Sequence, residues 1–229
     1  MPKRKAKERQ NQIQIDTYHA KGGARMGPWT SHIWRTDPRH LGFLLARYKF
    51  CAKMLEGKSA VLEVGCGDAF GTKVVKQTVR SVCCVDFEPL IIEEAKDCIA
   101  AEKVKGIDFV VHDMTRKSLG KKFDAVYSLD VIEHIPPAKE KLFMKNICAS
   151  LKKDAVCLIG TPNIAADKHA SAGSRAGHVN LKSGATMRRT LEKYFRNVFI
   201  FSMNDELVHT GFSPMAHYLL GMGVGLKKQ

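Results

Sequence analysis

The sequence predicts an α/β fold, a doubly wound and mostly parallel sheet of seven strands with helices on both faces and the last strand reversed. Three observations predict it. Short apolar runs alternate with helical stretches along most of the chain. A glycine-rich turn, Gly65-Cys-Gly67-Asp-Ala-Phe-Gly71, leaves the first of those runs and opens a helix. The chain has 229 residues, enough for one sizeable domain and short for two.

Residues 1–12 are polar and read as a disordered tail. Residues 13–37 read as irregular, because Gly22, Gly23, Gly27 and Pro28 punctuate them, while Trp29 and Trp34 add two large aromatics. Together 1–37 form a tail and a candidate cleft cover, and 38–229 form the domain. Pro38 opens a helix to Leu55 in which Leu41, Leu44, Leu45, Tyr48 and Cys51 recur at three- and four-residue spacing. Strands follow at 60–65, 81–86, 107–112, 123–129 and 154–160, with helices between them at about 70–79, 89–103 and 137–151. A helix at 184–195 and a sixth strand at 197–203 come next. The stretch 215–224 is the returning seventh strand, interrupted by Gly221 and Gly223. Residues 161–183 are too long for an ordinary connection and read as a lid-like insertion.

Composition bounds the setting. A hydrophobic content of 45% and a charged content of 26% are those of a globular chain with a real core. No apolar run approaches the ~20 residues of a membrane helix. The basic start of the chain lacks the apolar stretch of a secretion signal. The expectation is a cytoplasmic protein without a membrane span. Seven cysteines, an odd number, include no Cys-x-x-Cys pair, which argues against a zinc ribbon or a thioredoxin-like site. The net charge of +14 admits either a polyanionic partner or a merely basic surface.

The glycine turn has two readings, a dinucleotide site or a site for another nucleoside cofactor. A pyrophosphate wants bare backbone N–H groups without nearby anions. Here Glu63 precedes the turn and Asp68 lies within it, and Gly71 falls one residue later than the dinucleotide fingerprint asks. S-adenosylmethionine has no phosphate and carries a sulfonium and an ammonium group, so these acids suit it. Asp86 ends the second strand, where a carboxylate reaches ribose hydroxyls, and Phe87 beside it packs on adenine or in the core. Asp113 ends the third strand and accepts from the adenine amino group or caps a turn. Met114 offers a soft apolar contact. Acids at three strand ends, 63, 86 and 113, are hard to explain by packing. In open parallel sheets, ligands sit at these ends.

Leu62-Glu-Val-Gly-Cys-Gly67, Val85-Asp86, His112-Asp113, the run Phe123 to Ile135 and Gly160-Thr-Pro-Asn163 resemble the successive motifs of class I S-adenosylmethionine-dependent methyltransferases. The resemblance covers about residues 58–163 and is nearest the O-methyltransferases of ubiquinone biosynthesis. It implies a Rossmann-like seven-stranded sheet and S-adenosyl-L-methionine as cofactor. It implies the methionine moiety near Glu63, Gly65 and Gly67, ribose on Asp86, and adenine near Asp113 and Met114. Asp68, Gly71, Phe87 and Leu129 complete the expected cofactor-binding set.

Methyl transfer needs an aligned nucleophile and, for a hydroxyl, a proton acceptor. Leu129-Asp-Val-Ile-Glu-His-Ile135 follows the fourth strand and supplies His134, whose ordinary pKa suits a base. His134 either acts so, or shapes its loop, or joins Asp130 and Glu133 on a metal as the resemblance suggests. Asp130 stands where that pattern has Glu, and no metal is assigned. His178, in the 161–183 insertion, is the other candidate base. The expected acceptor is an oxygen of a small molecule or glycan. Nucleic acid, as in an RNA methyltransferase, is the alternative partner, although no Asp-Pro-Pro-Tyr or catalytic Pro-Cys motif follows the fourth strand. A catalytically silent cofactor-binding module is the reading from another class.

Overall fold

The computed structural model describes residues 5–228. Helices α1 (Gln12–Lys21), α2 (Pro28–Thr36) and α3 (His40–Met54) precede the sheet. Then come β1 (Ala60–Val64), α4 (Thr72–Lys76), β2 (Ser81–Asp86), α5 (Pro89–Ala101), β3 (Ile107–Val111), β4 (Phe123–Leu129), α6 (Pro137–Ala149) and β5 (Leu151–Pro162). The chain closes with α7 (Ala172–Gly177), α8 (Gly184–Glu192), β6 (Phe195–Asn204), β7 (Leu207–His209) and β8 (Tyr218–Leu226).

The strands form one sheet in the order β3-β2-β1-β4-β5-β8-β6-β7. The pairs among β1 to β5 are parallel, and β8 runs antiparallel between β5 and β6. Two expectations need correction. The sheet has eight strands rather than seven, because β6 turns back at Asp205 (φ 49°) into the short strand β7. Segment 13–37 is largely helical rather than irregular, since α1 and α2 lie within it. Pro28 starts α2 at a position where its missing N–H is no loss. The disordered tail expected over 1–12 falls partly outside the described residues; Arg9–Asn11 make a 3-10 turn.

Side chains alternate across the strands, and both faces are covered. Leu62, Val64, Cys83 and Val126 pack with Phe143, Ile147 and Leu191 of α6 and α8 on one face. Val61, Cys84, Ala125, Tyr127 and Leu158 pack with Tyr48 and Cys51 of α3, and with Leu55 just after it, on the other. The glycines that interrupt β8 have a packing reason. A Cβ on Gly221 would stand 2.6 Å from Leu191 Cδ1, and one on Gly223 2.5 Å from the Phe195 ring. Bare backbone there lets α8 and Phe195 close onto the sheet. All seven cysteines are buried and free. Among the described residues, no helix is long and apolar enough to cross a membrane.

Candidate functional site

The parallel strands end side by side at one edge of the sheet, and the turns that leave them carry the acids singled out above. The turn after β1 folds back over β2, with Gly65 and Cys66 donating their N–H groups to Val85 O at 2.8 and 3.2 Å. Gly65 has φ 75°, and a Cβ there would lie 2.2 Å from Val131 Cγ2. Glycine is therefore required twice over, for the backbone angle and for the turn after β4 to approach. Gly67 (φ 54°) has open space where a Cβ would stand. Gly71 lies under the ring of Tyr48.

Asp86 spans this turn and the next element. Its Oδ2 accepts from Gly67 N at 3.3 Å and its Oδ1 from Glu88 N at 3.1 Å, and it remains half-buried. Phe87 beside it is 72% exposed, so it is no core residue and presents a bare ring at the edge. Asp113 accepts from Thr115 N at 2.8 Å and pairs with Arg116. Against the opposing effect of burial, these partners hold its carboxyl below the usual range. Met114 and Leu129 are buried beneath the edge.

Glu63 and Asp68 are engaged by the protein itself. Glu63 is fully buried, accepting from Thr72 Oγ1 at 2.6 Å, Tyr48 Oη at 3.1 Å and Cys84 Sγ at 3.5 Å. Burial raises its pKa to about 7, against those stabilising hydrogen bonds. It ties α3 and α4 to the glycine turn. Asp68 accepts from Thr30 N at 2.8 Å and from Thr30 Oγ1 at 2.9 Å. The α2 N-cap is Gly27, which has no side chain to cap with, so Asp68 caps the helix from across the chain.

The turn after β4 is the second half of the site. Asp130 takes φ 57°, an unusual angle for a residue other than glycine. Arg47 of α3 holds it there, donating from Nη1 to both carboxylate oxygens at 3.0 and 2.8 Å. The guanidinium of Arg47 is buried and stands 3.8 Å from the centroid of the Tyr218 ring. Glu133 is fully buried. Its Oε2 accepts from Thr161 Oγ1 at 3.0 Å, and its Oε1 has no partner among the described residues. Burial, reinforced by Asp130, pushes its pKa up to about 8.

The two candidate bases meet at this turn, one ring edge-on to the other at 5.1 Å between centroids. His134 Nδ1 lies 2.9 Å from Gly177 O, so Nδ1 carries the proton and Nε2 keeps the lone pair in the neutral ring. Burial and then His134 lower the pKa of His178, whose Nδ1 has no partner among the described residues. The 161–183 insertion is ordered around them. Ser171 caps α7, and Val179 and Asn180 donate their N–H groups to Glu133 O. Ligand atoms of Glu133, His134 and His178 all lie within 4.8 Å of one another. One carboxylate and two imidazoles suit a divalent cation. The orphaned Glu133 Oε1 and His178 Nδ1 fit that use. Asp130, the partner that the resemblance suggested, is instead taken by Arg47.

Arg47, Tyr218, Thr30 and Thr161 were not singled out in the sequence. Arg47 left a trace there as a charge three residues after Leu44 on the apolar stripe of α3, and Thr161 as part of the motif Gly160-Thr-Pro-Asn163.

Residues 61–154 match the family model described as a methyltransferase domain. That stretch is a methyltransferase domain, and the fold around it is shared with S-adenosylmethionine-dependent methyltransferases. The ubiquinone biosynthesis O-methyltransferase of Pelagibacter ubique (strain HTCC1062) is 29% identical over 103 residues, 45% of this chain and 42% of that relative. The match thus spans less than half of the relative's length. The methyltransferase domain is also similar in fold to the N-methyltransferase NodS from Bradyrhizobium japonicum WM9, in complex with S-adenosyl-L-homocysteine. That likeness has a TM-score of 0.64 at 15% identity and covers 91% of this chain and 98% of NodS. An S-adenosylmethionine-dependent methyltransferase from Clostridium acetobutylicum ATCC 824 aligns with a TM-score of 0.66 at 11% identity, covering 85% and 97%. Arg47, Thr30, His178 and Tyr218 all lie outside the residues that the family model matches.

Proposed function

We propose that the chain transfers the methyl group of S-adenosyl-L-methionine to an oxygen of a small molecule or glycan. The pairing of His134 and His178 at the turn after β4 carries this reading, because a hydroxyl must lose a proton as it attacks and an amine need not. His134 Nε2 takes that proton, and His178 restrains the ring. The distant O-methyltransferase relative agrees with an oxygen acceptor.

In this reading Asp86 binds the ribose hydroxyls, Phe87 and Met114 flank adenine, and Asp113 receives its amino group. The backbone of Gly65 and Gly67 faces the methionine moiety. Glu63 and Asp68 act through the turn they hold. Segment 22–37, latched through Thr30 to Asp68, covers the cofactor, and the 161–183 insertion borders the acceptor. Incubation with methyl-labelled cofactor and an acceptor panel tests the proposal, with product linkage read by NMR. Oxygen-linked product supports it; product formed only on nitrogen, carbon or RNA overturns the acceptor assignment.

The cluster of Glu133, His134 and His178 favours a second reading, in which these three hold a divalent cation that polarises the acceptor oxygen when bound. His134 is then a ligand and not a base. Manganese or zinc should raise Tm in the wild type and leave His178→Ala unmoved; equal shifts in both would reject this reading.

A further inference from the structure

We propose that the end of the sheet opposite the glycine turn is a docking face for the phosphate backbone of a nucleic acid. Charge is segregated along the strands. The edge where β1 to β4 end carries Asp68, Asp86, Asp113 and Asp130; Arg116 and Arg47 pair with two of these and Asp68 caps α2, which leaves Asp86 to face a cationic cofactor. The edge where they begin carries lysines. Lys105 leads into β3, Lys121 and Lys122 into β4, and Lys152 and Lys153 open β5. Lys228 follows β8, which is antiparallel to β5 and so ends at the same edge. All six are exposed.

Of the acids at this edge, Asp124 and Asp154 are paired, and Asp108 and Glu56 have no ion pair among the described residues. Asp124 takes Lys152 at 2.7 Å and Asp154 takes Arg196, and the five remaining exposed lysines outnumber Asp108 and Glu56. The register shift between Phe123 and Ala125 sets the start of β5 out from β4. Lys58, Lys152 and Lys153 border an open groove of about 310 Å³ there. A nucleic-acid backbone needs little more than such spaced cations. A lipid surface also recruits apolar side chains. The loops at this edge expose no large apolar side chain among the described residues, apart from Met54 at the end of α3. Methyl transfer uses none of these lysines, so the face is independent of the reading above.

The test is fluorescence anisotropy of a labelled 24-nucleotide uridine RNA with the full chain at 50 and 200 mM KCl. If about four phosphates are neutralised, affinity falls about 50-fold between those salts. Lys105→Ser, Lys121→Ser, Lys122→Ser and Lys153→Ser combined should weaken binding at 50 mM KCl by at least tenfold and leave S-adenosylmethionine affinity unchanged. Lys153→Glu alone should give roughly a threefold loss, and it decides the case if the combined variant misfolds. No RNA binding by the wild type at 50 mM KCl overturns the proposal. So does full binding by the variants, or binding lost only when Lys3, Arg4, Lys5 and Lys7 are made Ser. Tighter binding to phosphatidylglycerol vesicles than to RNA would identify a membrane partner and also overturn it.

Discussion

Removing Asp130 should cost more stability than removing Arg47, although the two form one ion pair. The Arg47 side chain is 6% exposed and that of Asp130 is 32% exposed. Asp130→Asn keeps a residue that tolerates φ 57° and leaves a guanidinium that cannot shed its proton buried without a counter-charge. Orphaning a buried charge costs about 3–5 kcal/mol, and the retained amide oxygen moves the expectation to about 3 kcal/mol. Arg47→Met keeps an unbranched side chain on the Tyr218 ring. It leaves Asp130, which has water within reach, so about 1–2 kcal/mol is expected. For a chain of this length 1 kcal/mol moves Tm by roughly 2–4 °C. Asp130→Asn should thus melt about 6–12 °C below the wild type, and Arg47→Met about 2–8 °C below. The double variant should be more stable than Asp130→Asn alone, because no charge is then stranded. Circular-dichroism melts of the four proteins complete the cycle. If Asp130→Asn is the milder single change, or the double variant loses the sum of both, the pair does not hold the turn in the way described.

Two further outcomes follow from the same geometry. Gly65→Ala meets both a positive φ and Val131, so S-adenosylmethionine binding by calorimetry should fall at least tenfold. Val131→Ala in the same chain should restore only part of it, and a full rescue would show that the backbone angle is unimportant. Glu133 binds its proton more tightly folded than unfolded, with a pKa of about 8 against an ordinary 4.5. Its destabilising ionisation therefore sets in as pH rises from about 4.5 and is complete above 8. Denaturant unfolding should show Glu133→Gln gaining on the wild type between pH 5 and pH 9; a gap that is constant or that narrows toward pH 9 contradicts the buried, unpaired carboxyl.

Local pattern revealed the elements that local pattern makes. The strand 81–86 and the strand 123–129 match the structure residue for residue, because each is a short apolar run between turn residues. The reversed strand near the C-terminus was legible from its apolar residues although glycines interrupt them; Leu191 of α8 packs against Gly221 and the Phe195 ring against Gly223. Helix α2 was hidden because its cap, Asp68, lies 38 residues away from Thr30. Strand β7 has three residues, too few to show a period. In the site, the acids at 63, 86 and 113 were visible as strand ends, but the partners of Glu63 were not. Side-chain direction depends on what packs above, here Tyr48 and Thr72. The meeting of His134 and His178 likewise depends on how α7 folds back over the turn after β4. No spacing in the sequence encodes it.

Calorimetric titration with S-adenosylmethionine, on the wild type and on Asp86→Ala, tests the central claim most directly. The wild type should bind, and the variant should bind at least roughly tenfold more weakly, because the ribose hydroxyls lose a charged acceptor. No heat of binding with the wild type would contradict the cofactor reading, and equal affinity in both proteins would contradict the place given to Asp86.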